Sequence, residues 1–140
     1  MRRTSTSGTK PTDGPGPGRE TETLLTAAST LGLALTPFQV GLLARYADLV
    51  RDWNRRVNLV SRRDADRILE YHVVDSLASA RLCEPGSRVA DIGTGAGLPG
   101  IPLAIARPDL SVVLVESSGN RCRFLWHAPV SYTHLTLPTN

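Results

Sequence analysis

Apolar residues recur at helical spacing through the first half of the chain. A short helix is expected over "ETETLLTAASTLGLAL", ending around Gly32. "TPFQ" at 36–39 then combines a capping Thr, a first-turn Pro and a Gln three residues after the cap, which is typical of a helix start. An apolar stripe follows, comprising Leu42, Tyr46, Leu49, Val50, Trp53 and Val57. A further helix is predicted from near Asp64 to Ala80, before "CEPGSR".

The pattern changes in the second half of the chain to short β-branched runs. "RVADI" and "LSVVLVE" are predicted as buried strands, and "PGIPLAIA" between them as a helix. A glycine-rich loop joins the first strand to that helix. Strand, loop, helix and strand in this order predict a right-handed βαβ unit of a parallel sheet, so the fold class is α/β.

Composition limits the chain to one modest domain without a membrane span. Residues 1–20 are rich in Pro, Gly, Ser and Thr, and we expect a disordered leader there. No apolar run approaches the length of a membrane span and no signal peptide is apparent, so we expect a cytoplasmic protein. Cys83 and Cys122 lack metal-ligand spacing, so free thiols and no metal site are expected.

The charge pattern leaves two interpretations open. The net charge is +3, and all but one of the 16 basic residues are arginine, whose guanidinium group binds phosphate oxygens in a bidentate manner. A solvated surface produces the same excess. Nucleic-acid binding therefore needs evidence beyond composition.

The loop "VADIGTGAGLPGIP" indicates a small, partly charged ligand. Gly95 to Gly100 satisfies GxGxxG, and Glu116 ends the next strand, as in a dinucleotide site. Asp91 argues against NAD, because a carboxylate at the carboxyl end of the first strand repels a pyrophosphate and attracts an ammonium group. S-adenosylmethionine fits, with Asp91 towards the methionine end and Glu116 towards the ribose. In the alternative, Asp91 caps the next helix and Glu116 is a surface charge.

Three segments resemble one family. "DIGTGAGLPGIPLAIARPDLSVVLVESSGNRCRFL" at 91–125 is similar to the cofactor half of the RsmG (GidB) family, the bacterial 16S ribosomal RNA guanine-N7 methyltransferases. "WNRRVNLVS" at 53–61 and "HVVDS" at 72–76 resemble the family's "WN…NLT" and "H…DS" elements in order and spacing. The resemblance covers residues from about 36 to 125.

This resemblance implies helices followed by the first βαβ unit of a class I, Rossmann-like methyltransferase sheet, over residues 21–126. It implies S-adenosylmethionine as cofactor, 16S ribosomal RNA or the small ribosomal subunit as partner, and a monomer at full length. By similarity to the family, Gly93 and Leu98 are expected to contact the cofactor. The predicted cofactor-binding set is Asp91, Gly93, Thr94, Gly95, Gly97, Leu98 and Glu116. No catalytic residue is assigned, because guanine N7 has a free lone pair and needs no base.

The RNA-contact prediction is weaker than the cofactor prediction. The candidate residues are Arg55, Arg56, Arg62, Arg63 and Arg123, although nearby aspartates also fit a solvated face. Trp53 is expected in the core. Asn54 and Asn58 either brace the helix end or contact RNA, and a structural hydrogen bond is expected between His72 and Asp75.

The end of the sequence departs from the family. Asn120 stands where the family usually has lysine, and "WHAPVSYTHLTLPTN" has two prolines and no helical stripe. These last residues also resemble translated sequencing-adapter read-through, so we expect residues 127–140 to be non-native. The sheet is then expected to end after its second strand and the truncated chain to be inactive. The alternatives are a fragment of an NAD-binding Rossmann oxidoreductase and a non-catalytic RNA-binding module.

Overall fold

A computed structural model describes residues 17–132 and 135–136. Six α-helices and three strands occur in this part of the chain, with one π-helical and one 3-10 segment. The first half is helical, and the second half alternates strands and helices around a small parallel sheet. The predicted α/β class is confirmed.

Helix α1 spans Pro17–Thr30 and packs against helix α2, which spans Pro37–Trp53. Helix α1 begins at Pro17, within the residues 1–20 predicted as a disordered leader, and residues 1–16 lie outside the described residues, so the leader stays a prediction. Glu20, in the first turn of α1, accepts a hydrogen bond from Arg51 of α2 at 2.6 Å. That pair anchors the beginning of α1.

Helix α2 begins as the sequence predicts. The Thr36 hydroxyl accepts from the Gln39 backbone N–H, and the Gln39 side-chain oxygen accepts from the Thr36 N–H, which completes the capping box. The Gln39 amide nitrogen also donates to the carbonyl oxygen of Ile105 at 3.0 Å. The cap therefore joins α2 to a later helix as well as starting its own.

The predicted helix from Asp64 to Ala80 is divided into four pieces. Helix α3 spans Arg62–Asp66, a π-helical segment spans Ile68–Val73, helix α4 spans Val74–Ala78, and a 3-10 segment spans Ser79–Leu82. Ser61 caps α3 by accepting from the Asp64 N–H, so helical structure begins earlier than predicted. Apolar periodicity alone does not distinguish these helix types, because the buried face persists through all of them.

The sheet is parallel, in the order β1–β2–β3. Strand β1 spans Arg88–Ile92, helix α5 spans Gly100–Ala106, and strand β2 spans Ser111–Val115, which confirms the predicted βαβ unit. A third strand, β3 at Leu135–Thr136, pairs with β2. The prediction that the sheet has only two strands is therefore wrong.

Helix α6 spans Gly119–Tyr132 and continues past residue 126, where the sequence predicted that the helix breaks. The cause is tertiary packing. Ala128 is completely buried in the core, and the His127 ring lies 5.0 Å from the Trp53 ring, centroid to centroid. These contacts outweigh the poor helix propensity of the segment. Whether residues 127–140 are native stays a prediction.

The core lies between the helices and one face of the sheet. Fully or nearly fully buried side chains come from α2, from the π-helical segment, from α5 and from β2. Strand register places Asp91 on the same face as Leu114, and places Ala90 and Ile92 on the opposite face. Ile92 is 73% exposed there. No helix among the described residues is long and apolar enough to cross a bilayer.

Candidate functional site

The candidate site lies where β1 and β2 end and the glycine-rich loop of residues 93–99 begins. The N–H groups of Gly93 and Thr94 both donate to the Val115 carbonyl, at 2.8 and 3.1 Å. The loop therefore starts against the end of β2. Ligands of open parallel sheets bind in the crevice at this carboxyl edge.

Asp91 braces the loop from the end of β1. One carboxylate oxygen, Oδ2, accepts from the Thr94 hydroxyl at 2.5 Å and from the Gly100 N–H at 3.0 Å. Since Gly100 is the first residue of α5, the carboxylate holds that helix start, as the structural alternative from the sequence expects. A ligand contact of Asp91 stays a prediction, and the Oδ1 atom is the one it would use.

Glu116 follows β2 and closes the other side of the loop. Its Oε2 atom accepts from the Gly95 N–H at 2.8 Å, and its Oε1 atom accepts from the N–H groups of Ser117 and Ser118. Partial burial acts to raise the pKa of the Glu116 carboxyl, but these N–H donors outweigh it and hold the pKa below its ordinary value. The ionised carboxylate thus ties the loop to the end of β2.

The loop glycines divide into two kinds. A Cβ atom added at Gly93 or Gly95 meets no atom within 4 Å, so their backbone faces open space. At Gly97 an added Cβ lies only 2.7 Å from Ile101 Cγ1 and 3.3 Å from Leu125 Cδ2. Gly97 therefore serves helix packing, whereas Gly93 and Gly95 leave room for a ligand next to the backbone.

The remaining predicted cofactor residues occupy different positions in the loop. Thr94 is buried, and its hydroxyl is directed at Asp91 rather than at the open side. Leu98 is half-buried and packs against the core. Direct cofactor contact by either residue stays a prediction.

Tyr46 is a loop contact that the sequence reasoning missed. Its hydroxyl group, which is completely buried, donates to the Ala96 carbonyl at 2.7 Å across 50 residues of sequence. The sequence analysis places Tyr46 only on the apolar stripe of α2. The tyrosine at this apolar position could have indicated such a contact, because a buried tyrosine hydroxyl group normally needs a hydrogen-bond partner.

Two of the predicted RNA-contact arginines lie around one cavity. It has a volume of about 540 Å³ and lies between the end of α2 and α3, lined by Arg51, Asn54, Arg55, Arg62, Ala65 and Asp66. Arg51 is occupied by ion pairs with Glu20 and Asp48. Within residues 17–132, Arg55 and Arg62 form no ion pair, so their guanidinium groups are available to an anion.

The other candidate arginines are not part of this cavity. Arg56 lies over the Trp53 ring, 5.6 Å from its centroid, and within 4.0 Å of Asp52. Arg63 and Arg123 are exposed, on α3 and α6. The structure thus brings Arg55 and Arg62 together but does not join all five arginines into one surface cluster.

The residues of the "WN" and "H…DS" elements have structural roles. Trp53 packs edge-on against Phe124, with ring centroids 5.9 Å apart, which confirms its place against the core. Asn54 Oδ1 accepts from the N–H groups of Leu59 and Val60, so it braces the turn after α2. His72 lies 3.6 Å from Asp64 rather than bonding to Asp75, so the expected His72–Asp75 hydrogen bond is wrong.

The donor groups of the site do not resemble a metal centre. Among residues 17–132 and 135–136, no three His, Cys, Asp or Glu side chains converge as metal ligands. The titratable groups at the loop are the two carboxylates of Asp91 and Glu116, and both interact with backbone N–H groups.

Comparison with known proteins assigns the chain to a family. Residues 39–134 match the GidB family model, described as rRNA small subunit methyltransferase G. Proteins named ribosomal RNA small subunit methyltransferase G are 47% identical in Nitrosospira multiformis (73% of this chain, 47% of the relative) and 43% identical in Laribacter hongkongensis (78% and 52%). The protein of that name from Salmonella agona is 48% identical, over 67% of this chain and 45% of the relative. The chain spans about half the length of these curated relatives. Because the family model covers well over half of its residues, the chain belongs to the rRNA small subunit methyltransferase G family.

Proposed function

We propose that this chain supplies the cofactor-binding part of an S-adenosylmethionine-dependent methyltransferase that modifies guanine N7 in 16S ribosomal RNA, in the cytoplasm. The observation that carries the proposal is the loop geometry. Two carboxylates at the ends of adjacent parallel strands flank a loop whose Gly93 and Gly95 backbone faces open space. Family membership supports the RNA substrate, since the relatives carry that substrate in their names.

The residues present fit this cofactor. Gly93 and Gly95 leave the space that a ligand needs for close approach to the backbone. The Oδ1 atom of Asp91 would face the ammonium group of the methionine portion, and Glu116 would accept hydrogen bonds from the ribose hydroxyls. The Oε2 atom of Glu116 accepts one internal hydrogen bond, from Gly95, and could accept a second from a ribose hydroxyl. A pyrophosphate at the same place would lie beside the Asp91 carboxylate, which disfavours NAD, whereas Glu116 suits the ribose of either cofactor.

The chemistry requires positioning rather than proton removal. When bound, S-adenosylmethionine supplies an electrophilic methyl group on a sulfonium sulfur. Guanine N7 already has a free lone pair for methyl transfer, so this chain would need no general base to prepare it. The loop and the carboxylates act by fixing the geometry of the reaction and by placing charge, which is how alignment and preorganised electrostatics accelerate a reaction.

The α2–α3 cavity is the part of the surface best suited to the RNA backbone. Arg55 and Arg62 line it without an internal ion pair among residues 17–132, and a guanidinium group binds phosphate oxygens in a bidentate manner. Arg56, Arg63 and Arg123 would add positive charge outside the cavity. We propose that these residues set affinity for RNA and not the choice of base.

We expect the 140-residue chain to bind cofactor weakly and to lack methyl transfer. Strand β1 is an edge strand of the sheet, and the face that carries Ala90 and Ile92 is exposed. An exposed apolar sheet face of this kind lowers stability and leaves the crevice open to water.

The test is calorimetric titration of the chain with S-adenosylmethionine and, separately, with NAD. Asp91→Asn keeps an oxygen acceptor for Gly100 and removes the charge, and Asp52→Asn on the exposed side of α2 is the matched control. The proposal expects S-adenosylmethionine binding that weakens in Asp91→Asn but not in Asp52→Asn. NAD binding that improves in Asp91→Asn would favour the oxidoreductase, and RNA binding without any cofactor effect would favour the RNA-binding module.

A further inference from the structure

A hydrogen bond from Tyr46 joins helix α2 to the cofactor loop. Tyr46 lies in the middle of α2, its side chain is completely buried, and its hydroxyl donates to the Ala96 carbonyl at 2.7 Å. Ala96 lies between Gly95 and Gly97, which have φ angles of +60° and +87°. The contact therefore falls on the part of the loop with the greatest intrinsic conformational freedom.

Other contacts hold the loop from the sheet side. Glu116 fixes the Gly95 N–H, and the Thr94 carbonyl accepts from the N–H groups of Gly97 and Leu98 at 3.0 and 3.2 Å. Glu116 directly follows β2, and the other partners belong to the loop itself. Tyr46 comes from helix α2, which ends 35 residues before β1 begins, and it fixes a carbonyl instead of an N–H.

We propose that Tyr46 is a positioning residue for the cofactor loop. It holds the Ala96 carbonyl away from the open side, so that the Gly93 and Gly95 backbone keeps the geometry that a ligand meets. The cofactor part of this inference rests on the proposed function. The loop-ordering part does not, because it concerns a hydrogen bond in the chain without ligand.

Tyr46→Phe removes the hydroxyl group and leaves the ring in the core. The Ala96 carbonyl then lacks this donor in a buried place, and the loop loses its anchor on α2. We expect faster hydrogen exchange of the backbone amides of residues 93–98. We also expect S-adenosylmethionine affinity to fall by between about threefold and tenfold, the effect of one neutral hydrogen bond.

Ser76→Ala is the matched control for loss of a buried hydroxyl group. Ser76 is 5% exposed, and its hydroxyl donates to the His72 carbonyl at 2.6 Å within its own helical segment, not to a residue of the loop. Both variants are expected to lose some thermal stability. Only Tyr46→Phe is expected to change loop exchange and cofactor affinity when both are measured at a temperature where each variant is folded.

The experiment is amide hydrogen exchange on the 140-residue chain and both variants, followed by S-adenosylmethionine titration. Loop exchange that rises in Tyr46→Phe and not in Ser76→Ala supports the inference. Equal exchange in the two variants overturns it, and so does a uniform rise over the whole chain in Tyr46→Phe. If loop exchange rises but no form binds S-adenosylmethionine, the proposed function fails and the positioning role of Tyr46 in the loop stands.

Discussion

Gly95 and Gly97 lie two residues apart in the loop, and alanine at the two positions should have different effects. Both residues have positive φ, which costs alanine about 1–2 kcal/mol relative to glycine. At Gly97 the new methyl group also lies 2.7 Å from Ile101 Cγ1, and Ile101 is completely buried. Overpacking of this kind costs a further ~1–3 kcal/mol.

The expected loss in the free energy of unfolding is therefore about 2–5 kcal/mol for Gly97→Ala and about 1–2 kcal/mol for Gly95→Ala. Reduced entropy of the unfolded chain returns about 0.4–1 kcal/mol in both variants, so their difference is unaffected. Urea unfolding followed by circular dichroism measures this difference in the free energy of unfolding between the two variants. For a typical slope, a difference of about 2 kcal/mol separates the two midpoints by roughly 1 M.

The same pair also tests the location of the cofactor site. The methyl group of Gly95→Ala enters open space, so it should weaken S-adenosylmethionine binding more than its small effect on stability explains. A Gly95→Ala variant as unstable as Gly97→Ala, with unchanged cofactor binding, would refute the division of the loop into a packing side and a ligand side.

Three further predictions concern residues outside the loop. Arg107 holds the pKa of the Asp109 carboxyl well below its usual range. This pair should therefore stabilise the fold above pH 3.8 and lose its effect as the pH falls further. Asp109→Asn should lower Tm at pH 7 and have little effect on Tm at strongly acidic pH. Arg55→Ala and Arg62→Ala should each reduce the salt dependence of RNA binding by about 0.7 in log–log slope, and an unchanged slope would exclude phosphate contact. Gln39→Ala removes the Gln39 side-chain half of the capping box and the bond to α5, while the Thr36 hydroxyl keeps its bond to the backbone N–H of residue 39. Chemical denaturation should show a loss of about 1–2 kcal/mol for these two hydrogen bonds, and a loss below about 0.5 kcal/mol would contradict the role of the Gln39 side chain.

The βαβ unit could be predicted because its signals are local. β-branched runs, a glycine cluster and an apolar helix of seven residues follow one another without interruption, and the structure places β1, α5 and β2 within one or two residues of the predicted bounds. The start of α2 was equally clear, since Thr36 and Gln39 form a capping box within four residues.

The errors arise where contacts between distant residues decide the structure. The packing of Ala128 extends α6 through a segment with poor helix propensity. The π-helical turn at 68–73 has the same apolar face as an ordinary helix. None of these features leaves a pattern that a single sequence displays.

For the site residues too, local sequence signals could be interpreted, whereas contacts between distant residues could not. Glycine spacing correctly located the loop, and Asp91 and Glu116 do lie on either side of it. The hydrogen bonds that occupy their oxygens, and the Tyr46 contact from α2, depend on how the chain folds back on itself. The sequence could therefore identify the loop but not which of its groups brace it and which face a ligand.

The most direct test of the account is an NMR titration of the isotope-labelled chain with S-adenosylmethionine, following the backbone amides. The account predicts that the signals of Gly93, Gly95 and the residues next to Glu116 shift, while those of Arg55 and Arg62 stay in place and NAD causes no comparable change. Shifts confined to the α2–α3 cavity, or equal shifts with NAD, would contradict the assignment of this loop as the S-adenosylmethionine site.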